Sequence, residues 1–222
     1  EPVAGSTGIL PPPVGYLERL REICTRHGIL LIFDEVITGF GRIGAPFAAQ
    51  RFGVLPDMIT VAKGLTNGVI PMGAVLVSES IHEAFMHGPE QAVELFHGYT
   101  YSGHPIAAAA GLATLEVYRE EGNFDQARAL EAMFAEEIHQ FDHHSMAIDV
   151  RNFGLMGAVE LASRDGAPGA RGLEVHKQCF WEEDLVIRNS MDIIQFSPFL
   201  NSRPEDIRSM FAAVRRVIEK LA

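Results

Sequence analysis

Hydrophobic positions along the chain fall into two textures. Up to about residue 119, short continuous apolar runs alternate with stretches whose apolar residues recur at helical spacing. Pro12–His27 predicts a helix: Leu17, Leu20 and Cys24 share a face, prolines stand at its start and Gly28 follows its last turn. Ile29–Phe33 is apolar throughout and ends in Asp34, the pattern of a strand buried in a parallel sheet. A short helix at Phe47–Phe52, buried strands at Met58–Val61 and Gly73–Val77, and a helix over Ser80–Met86 follow. Pro105–Arg119 predicts a long Ala-rich connecting helix.

From about Asn123 the pattern changes. A charged helix (Phe124–Phe141) precedes alternating strands at Ala147–Arg151 and Gly157–Leu161, a helix over Gly172–Glu183, short strands at Val186–Arg188 and Ile193–Phe196, and a last helix from Pro204 to Leu221. Asn201-Ser202-Arg203-Pro204-Glu205-Asp206 is a helix-start signature, with a cap residue, Pro in the first turn and acids at the positive end of the dipole. Strands alternating with helices imply an α/β layered domain with a mainly parallel sheet over residues 1–119, followed by a compact α+β domain over 120–222.

Composition narrows the functions available to such a chain. Of 222 residues, 47% are hydrophobic and 21% charged, which suits a globular protein with a substantial core. The net charge of −11 argues against a nucleic-acid surface. Stretches such as Ile29–Phe33 are too short to span a bilayer. Cys24 and Cys179 make no disulfide framework and read as free thiols in a reducing, cytoplasmic compartment. No metal-ligand spacing appears, and His143-His144 reads as a solvated pair. The chain opens Glu1-Pro2-Val3 without Met and reads as part of a longer protein, so any targeting segment would lie outside it.

Candidate chemistry collects at strand ends, where open α/β sheets bind ligands. Lys63 follows an apolar strand and precedes Gly64 and the turn-prone Thr66-Asn67-Gly68. Partial desolvation there would lower its pKa and free the amine as a nucleophile; a surface lysine in a loop is the plainer reading. Asp34 ends a run apolar enough to make a lone carboxylate costly without a cationic partner. It is either a strand-end cap, a partner for an arginine such as Arg42, or an acid serving a bound cofactor. Gly39-Phe40-Gly41-Arg42-Ile43-Gly44 fits neither phosphate-loop pattern and reads as a tight loop that places Arg42.

Leu30-Leu31-Ile32-Phe33-Asp34-Glu35-Val36-Ile37-Thr38-Gly39-Phe40-Gly41-Arg42, followed by Pro56-Asp57-Met58-Ile59-Thr60-Val61-Ala62-Lys63-Gly64, resembles the class III pyridoxal-phosphate (PLP) aminotransferases, with Asp34 and Lys63 at the family's spacing. Pro71-Met72-Gly73-Ala74, His97-Gly98-Tyr99-Thr100-Tyr101-Ser102 and Arg151-Asn152-Phe153-Gly154-Leu155 extend the resemblance over essentially the whole chain, and the branch it most resembles is the omega-amino-acid (β-alanine):pyruvate one. The resemblance implies the C-terminal part of a fold type I PLP-dependent transferase: the end of its large domain and the small C-terminal domain. It implies Lys63 as the Schiff-base lysine and proton shuttle, Asp34 as the partner of the pyridinium nitrogen, Val36 against one ring face, and Thr100 on the cofactor phosphate of the other subunit. Arg188 is similar to the arginine that binds the substrate carboxylate, against the alternative of a surface ion pair with Asp192.

The activity implied is transfer of an amino group from an omega-amino acid or amine to pyruvate, giving alanine in a ping-pong cycle, by a homodimer or dimer of dimers. Ser6 stands where the γ-aminobutyrate and ornithine branches carry an acid. Ile43, Phe96 and Asn189-Ser190-Met191 depart from the family pattern, and the bulk of Met191 is expected to narrow the pocket. An aminomutase, a racemase or a decarboxylase on the same fold, and a PLP-free α/β binding module, are the rival readings. These residues lack the family's N-terminal phosphate loop and stacking aromatic, so by themselves they are expected to be inert.

Overall fold

The computed structural model describes residues 1–92 and 95–222. Helix α1 (Tyr16–His27) starts later than the pattern predicted, after Gly15 at φ 82°. Pro11, Pro12 and Pro13 each restrict the residue before them to extended backbone, which keeps residues 10–12 out of the helix, and the left-handed Gly15 delays its start to Tyr16. Strand β1 is Ile32–Asp34, displaced from the predicted Ile29–Phe33. It pairs in parallel with β2 (Met58–Val61), which pairs antiparallel with β3 (Ala74–Val77). The sheet is thus mixed rather than mainly parallel in this chain. A parallel return needs a crossover of a dozen or more residues, usually helical; the link from β2 to β3 holds only a 3-10 turn at Lys63–Leu65.

The expectation that the β1 run is buried on both faces is also corrected. Phe33 is 2% exposed but Ile32 is 52% exposed, and Ile29, Leu30, Val75, Leu76 and Val77 are exposed as well. One face packs on α1 and on α2 (Ala48–Phe52) through Leu17, Cys24, Leu31, Phe33, Ala49 and Val54. The other carries an apolar surface that nothing in the described residues covers. Asp57 fastens the covered side, taking the Leu31 N–H and the Arg21 guanidinium, each at 2.7 Å.

Helices α3 (Glu79–Phe85) and α4 (Pro105–Glu121) lead to α5 (Asn123–Ile138). A four-stranded antiparallel sheet follows, ordered β4 (Ala147–Phe153), β5 (Met156–Leu161), β7 (Ile193–Phe196), β6 (Arg188–Ser190). Strand β6 starts at Arg188, where the predicted strand ended, because Met191 at φ 53° and Asp192 make a tight two-residue hairpin into β7. Helices α5, α6 (Ala170–Glu182) and α7 (Pro204–Lys220) close one face of this sheet over a core that includes Phe134, Phe141, Phe196 and Phe211. The start of α7 uses Arg203 as cap, with Asp206 accepting its backbone N–H. On the sheet's other face, residues 3–10 pack Val3 and Ile9 against Met156 and Ala158.

Candidate active site

Lys63 opens the 3-10 turn after β2 with φ 43°, a left-handed conformation that non-glycine residues rarely adopt outside turns and functional sites. Two contacts hold it there. The Tyr118 hydroxyl, from α4, donates to the Gly64 carbonyl at 2.8 Å. Phe40 presses on Gly64 so closely that an added Cβ would lie 2.8 Å from the Phe40 Cβ, so glycine is required. The Phe40 and Tyr118 rings stack with centroids 6.1 Å apart. The glycine-rich loop therefore serves the lysine turn as well as Arg42.

Arg42 is buried beneath this loop and donates to the carbonyls of Leu155, at 3.4 Å, and Pro198, at 2.5 Å. Burial pulls its pKa down to about 10, still charged at neutral pH. It ties the lysine side of the site to the second sheet and does not pair with Asp34. The Asp34 carboxylate is exposed and accepts the Val36 N–H at 3.1 Å and the Thr60 hydroxyl at 3.2 Å. Of the three roles open to Asp34, the Arg42 partner is thereby removed.

A cavity of about 750 Å³ lies between the lysine turn and the second sheet, within the size range of small-molecule sites. Lys63, Val36 and Arg188 all line it; Asp34 and Thr100 are not among its lining residues. Lys63 itself is exposed, so the partial desolvation expected for it is not supplied by the described residues. Arg188 donates to the Ser6 carbonyl at 3.5 Å. Its alternative partner, Asp192, is 4% exposed and turned inward, accepting from Ser163 and from the N–H groups of Gly169 and Gly172 at the start of α6. Burial raises the Asp192 pKa, but these bonds outweigh it and hold the carboxyl below its ordinary value. Met191 does not narrow the cavity: it is 59% exposed and lies over Gly169. Thr100 sits in an exposed turn between the exposed rings of Tyr99 and Tyr101.

The profile of the class III aminotransferases matches residues 1–218. The chain belongs to the class III aminotransferase family. It is 57% identical over 218 residues to an omega-aminotransferase of Caulobacter vibrioides, covering 98% of this chain and 49% of that one. It is 48% identical over 224 residues to a beta-alanine–pyruvate aminotransferase of Pseudomonas aeruginosa, covering all of this chain and 50% of that one. An amine transaminase from an uncultivated Pseudomonas species, solved in its PLP-bound form, superposes with TM-score 0.91 at 35% identity over all of this chain and 51% of that chain. An (S)-enantioselective omega-transaminase from Thermomicrobium roseum gives TM-score 0.92 at 33% identity, over 99% of this chain and 50% of that one. The chain spans about half the length of the relatives it matches.

Class III aminotransferases depend on PLP, and the residues present fit that group on three counts. Lys63 lines the cavity from a left-handed turn, Val36 supplies an apolar wall, and a carboxylate stands at the neighbouring strand end. Two further residues of this class III chain escaped sequence reading. Glu35, next to Asp34, is fully buried and accepts the N–H groups of Ala48 at 2.5 Å and Ala49 at 3.0 Å, and the Thr38 hydroxyl at 3.1 Å. It caps α2 and anchors the end of β1, and burial raises its pKa against those hydrogen bonds. Gln195 is 7% exposed and lines the cavity beside Arg188. Alternation past the strand end would have found Glu35, since Leu31, Phe33 and Glu35 share one face.

Proposed function

We propose that the full-length protein transfers an amino group from an omega-amino acid or amine, β-alanine among them, to pyruvate, giving alanine. The observation that carries this reading is the shared cavity: an amine, Lys63, and a guanidinium, Arg188, face one space of substrate size. The chemistry that PLP supplies when bound is an electron sink and a temporary store for the amino group. Arg188 binds the substrate carboxylate with its planar fork and so aims the amine-bearing carbon at Lys63. The Lys63 amine takes the proton from that carbon and later returns one, acting as general base and then general acid. Asp34 would hold the positive charge of the bound group, Val36 would pack against it, and Thr100 would reach the cofactor phosphate of a second subunit in a homodimer or dimer of dimers. The exposed Tyr99–Tyr101 turn supports that last role, because it is free to meet another chain.

Residues 1–119 then form the end of a large domain and 120–222 a small one, each with its own core, around Leu17 and around Phe211, and joined by the cluster of Val3, Ile9, Ile43 and Ala48 with Met156 and Ala158. Among the described residues no helix is long and apolar enough to cross a membrane. Cys24 and Cys179 are buried and unpaired, which supports a cytoplasmic site of action.

In the full-length enzyme, Arg188→Ala should raise KM for pyruvate and β-alanine about 10- to 100-fold, with far less effect on a carboxylate-free amine. Equal effects on both classes would refute the carboxylate role. Absence of alanine formation by the parent enzyme from β-alanine and pyruvate would favour a mutase, racemase or decarboxylase.

A further inference from the structure

We propose that Gln195 is a specificity-determining residue of this site, completing with Arg188 a two-sided clamp for the substrate carboxylate. The proposal rests on the reading of Arg188 given above and deepens it. Arg188 in β6 stands directly opposite Gln195 in β7, and Gln195 stands opposite Ala158 in β5. Residues opposite each other in a sheet share a face, with Cβ atoms about 4.5–5.5 Å apart, so one carboxylate can reach both polar groups. The neighbours of Gln195 along the strand, Ile194 and Phe196, are buried in the helix-facing core. Gln195 therefore faces the other way, into the cavity lined by Lys63 and Arg188.

Its amide stands in a wall that mixes apolar side chains such as Phe196 with charged ones such as Arg188. Gln195 is 7% exposed, and its Nε2 is buried with no hydrogen-bond partner. Buried polar groups are almost always paired, and of the unpaired donors among the described residues only that of Gln195 belongs to a residue lining this cavity, where a ligand can supply the acceptor. Rotation about the last side-chain bond is the one change needed to turn the unpaired N–H groups toward a bound carboxylate. Arg188 makes one long contact, to the Ser6 carbonyl, and the nearby Asp192 is engaged at the start of α6. The pair is thus rich in donors and poor in acceptors, the complement of a carboxylate. The Arg188 fork takes both oxygens side by side, and the Gln195 N–H adds a third bond to a remaining lone pair. A site built to donate in this way discriminates against substrates lacking the acceptor.

Gln195→Leu and the isosteric Gln195→Glu, made in the full-length enzyme, test this. For Gln195→Leu, KM for pyruvate and β-alanine should rise about 10- to 100-fold, as should the calorimetric Kd for the unreactive carboxylate propionate. The half-reaction with a carboxylate-free aralkyl amine should stay within about twofold. Gln195→Glu replaces the donors by an acceptor that pairs with Arg188, and it should abolish propionate binding in an enzyme of native circular dichroism. Unchanged propionate affinity in both variants overturns the proposal, as does an equal loss for substrates with and without a carboxylate. Arg188→Ala, measured in parallel, separates the two levels. If it abolishes carboxylate selectivity while the Gln195 variants do not, only the Gln195 role fails. If it acts equally on both classes, the reading of Arg188 fails.

Discussion

Replacing Glu35 by alanine should destabilise the enzyme more than any surface acid does. The carboxylate is fully buried and takes two backbone N–H groups at the first turn of α2 as well as the Thr38 hydroxyl. Alanine leaves both N–H groups facing apolar surroundings, since Ala48 and Ala49 are themselves buried. Each orphaned donor costs about 1–3 kcal/mol, so the loss should be about 2–6 kcal/mol, with Thr38 free to re-aim. Glutamine keeps one acceptor oxygen and should lose about half as much. Because burial raises the Glu35 pKa, the folded protein holds its proton to higher pH than the unfolded chain does. Stability therefore falls as pH rises above the ordinary value of 4.5, and the Gln variant should lack this slope. Urea denaturation of the full-length enzyme from pH 4 to pH 8 measures both effects. An alanine variant within about 1 kcal/mol of the parent would show that Glu35 does not anchor this corner.

Two further substitutions probe the scaffold. In Gly154→Ala the new Cβ would lie 2.3 Å from the Ile43 Cα, at a residue whose φ is 58°. Backbone cannot yield as a side-chain tip can, so a loss of about 3–5 kcal/mol is expected in urea melts; an unchanged midpoint would contradict the packing of the β4–β5 turn on the Arg42 loop. Asp192→Asn should remove an acid-dependent component of stability. Its folded pKa is depressed, so its contribution is complete above the unfolded value near 3.8 and is lost as pH falls through the folded one. Parent and variant should converge in stability at the lowest pH, and a gap that stays constant with pH would refute the assignment.

Much of this arrangement was legible in local sequence. Helical spacing located most helices to within a turn, though the first starts four residues later than predicted, and the apolar run Met58–Val61 marked Lys63 as lying at a strand end. What escaped reading depends on partners distant in sequence. The unbroken apolar run Ile29–Phe33 hides which face of β1 is covered, so the burial of Glu35, next to Asp34, went unread. Reading Asn189–Asp192 as a four-residue connection concealed the tight hairpin that sets Arg188 opposite Gln195. Asp192 looked like a partner for Arg188 because the two are near in sequence. Only the packing of α6 against the hairpin shows that helix N–H groups take it instead.

Lys63 is the residue proposed to carry the cofactor. Borohydride reduction of the full-length enzyme in the presence of PLP, followed by proteolysis and mass spectrometry, shows which lysine does so. One pyridoxyl-phosphate adduct is expected, on the peptide containing Lys63, and none in Lys63→Ala. An adduct on another lysine of the parent enzyme, or none at all, would contradict that assignment.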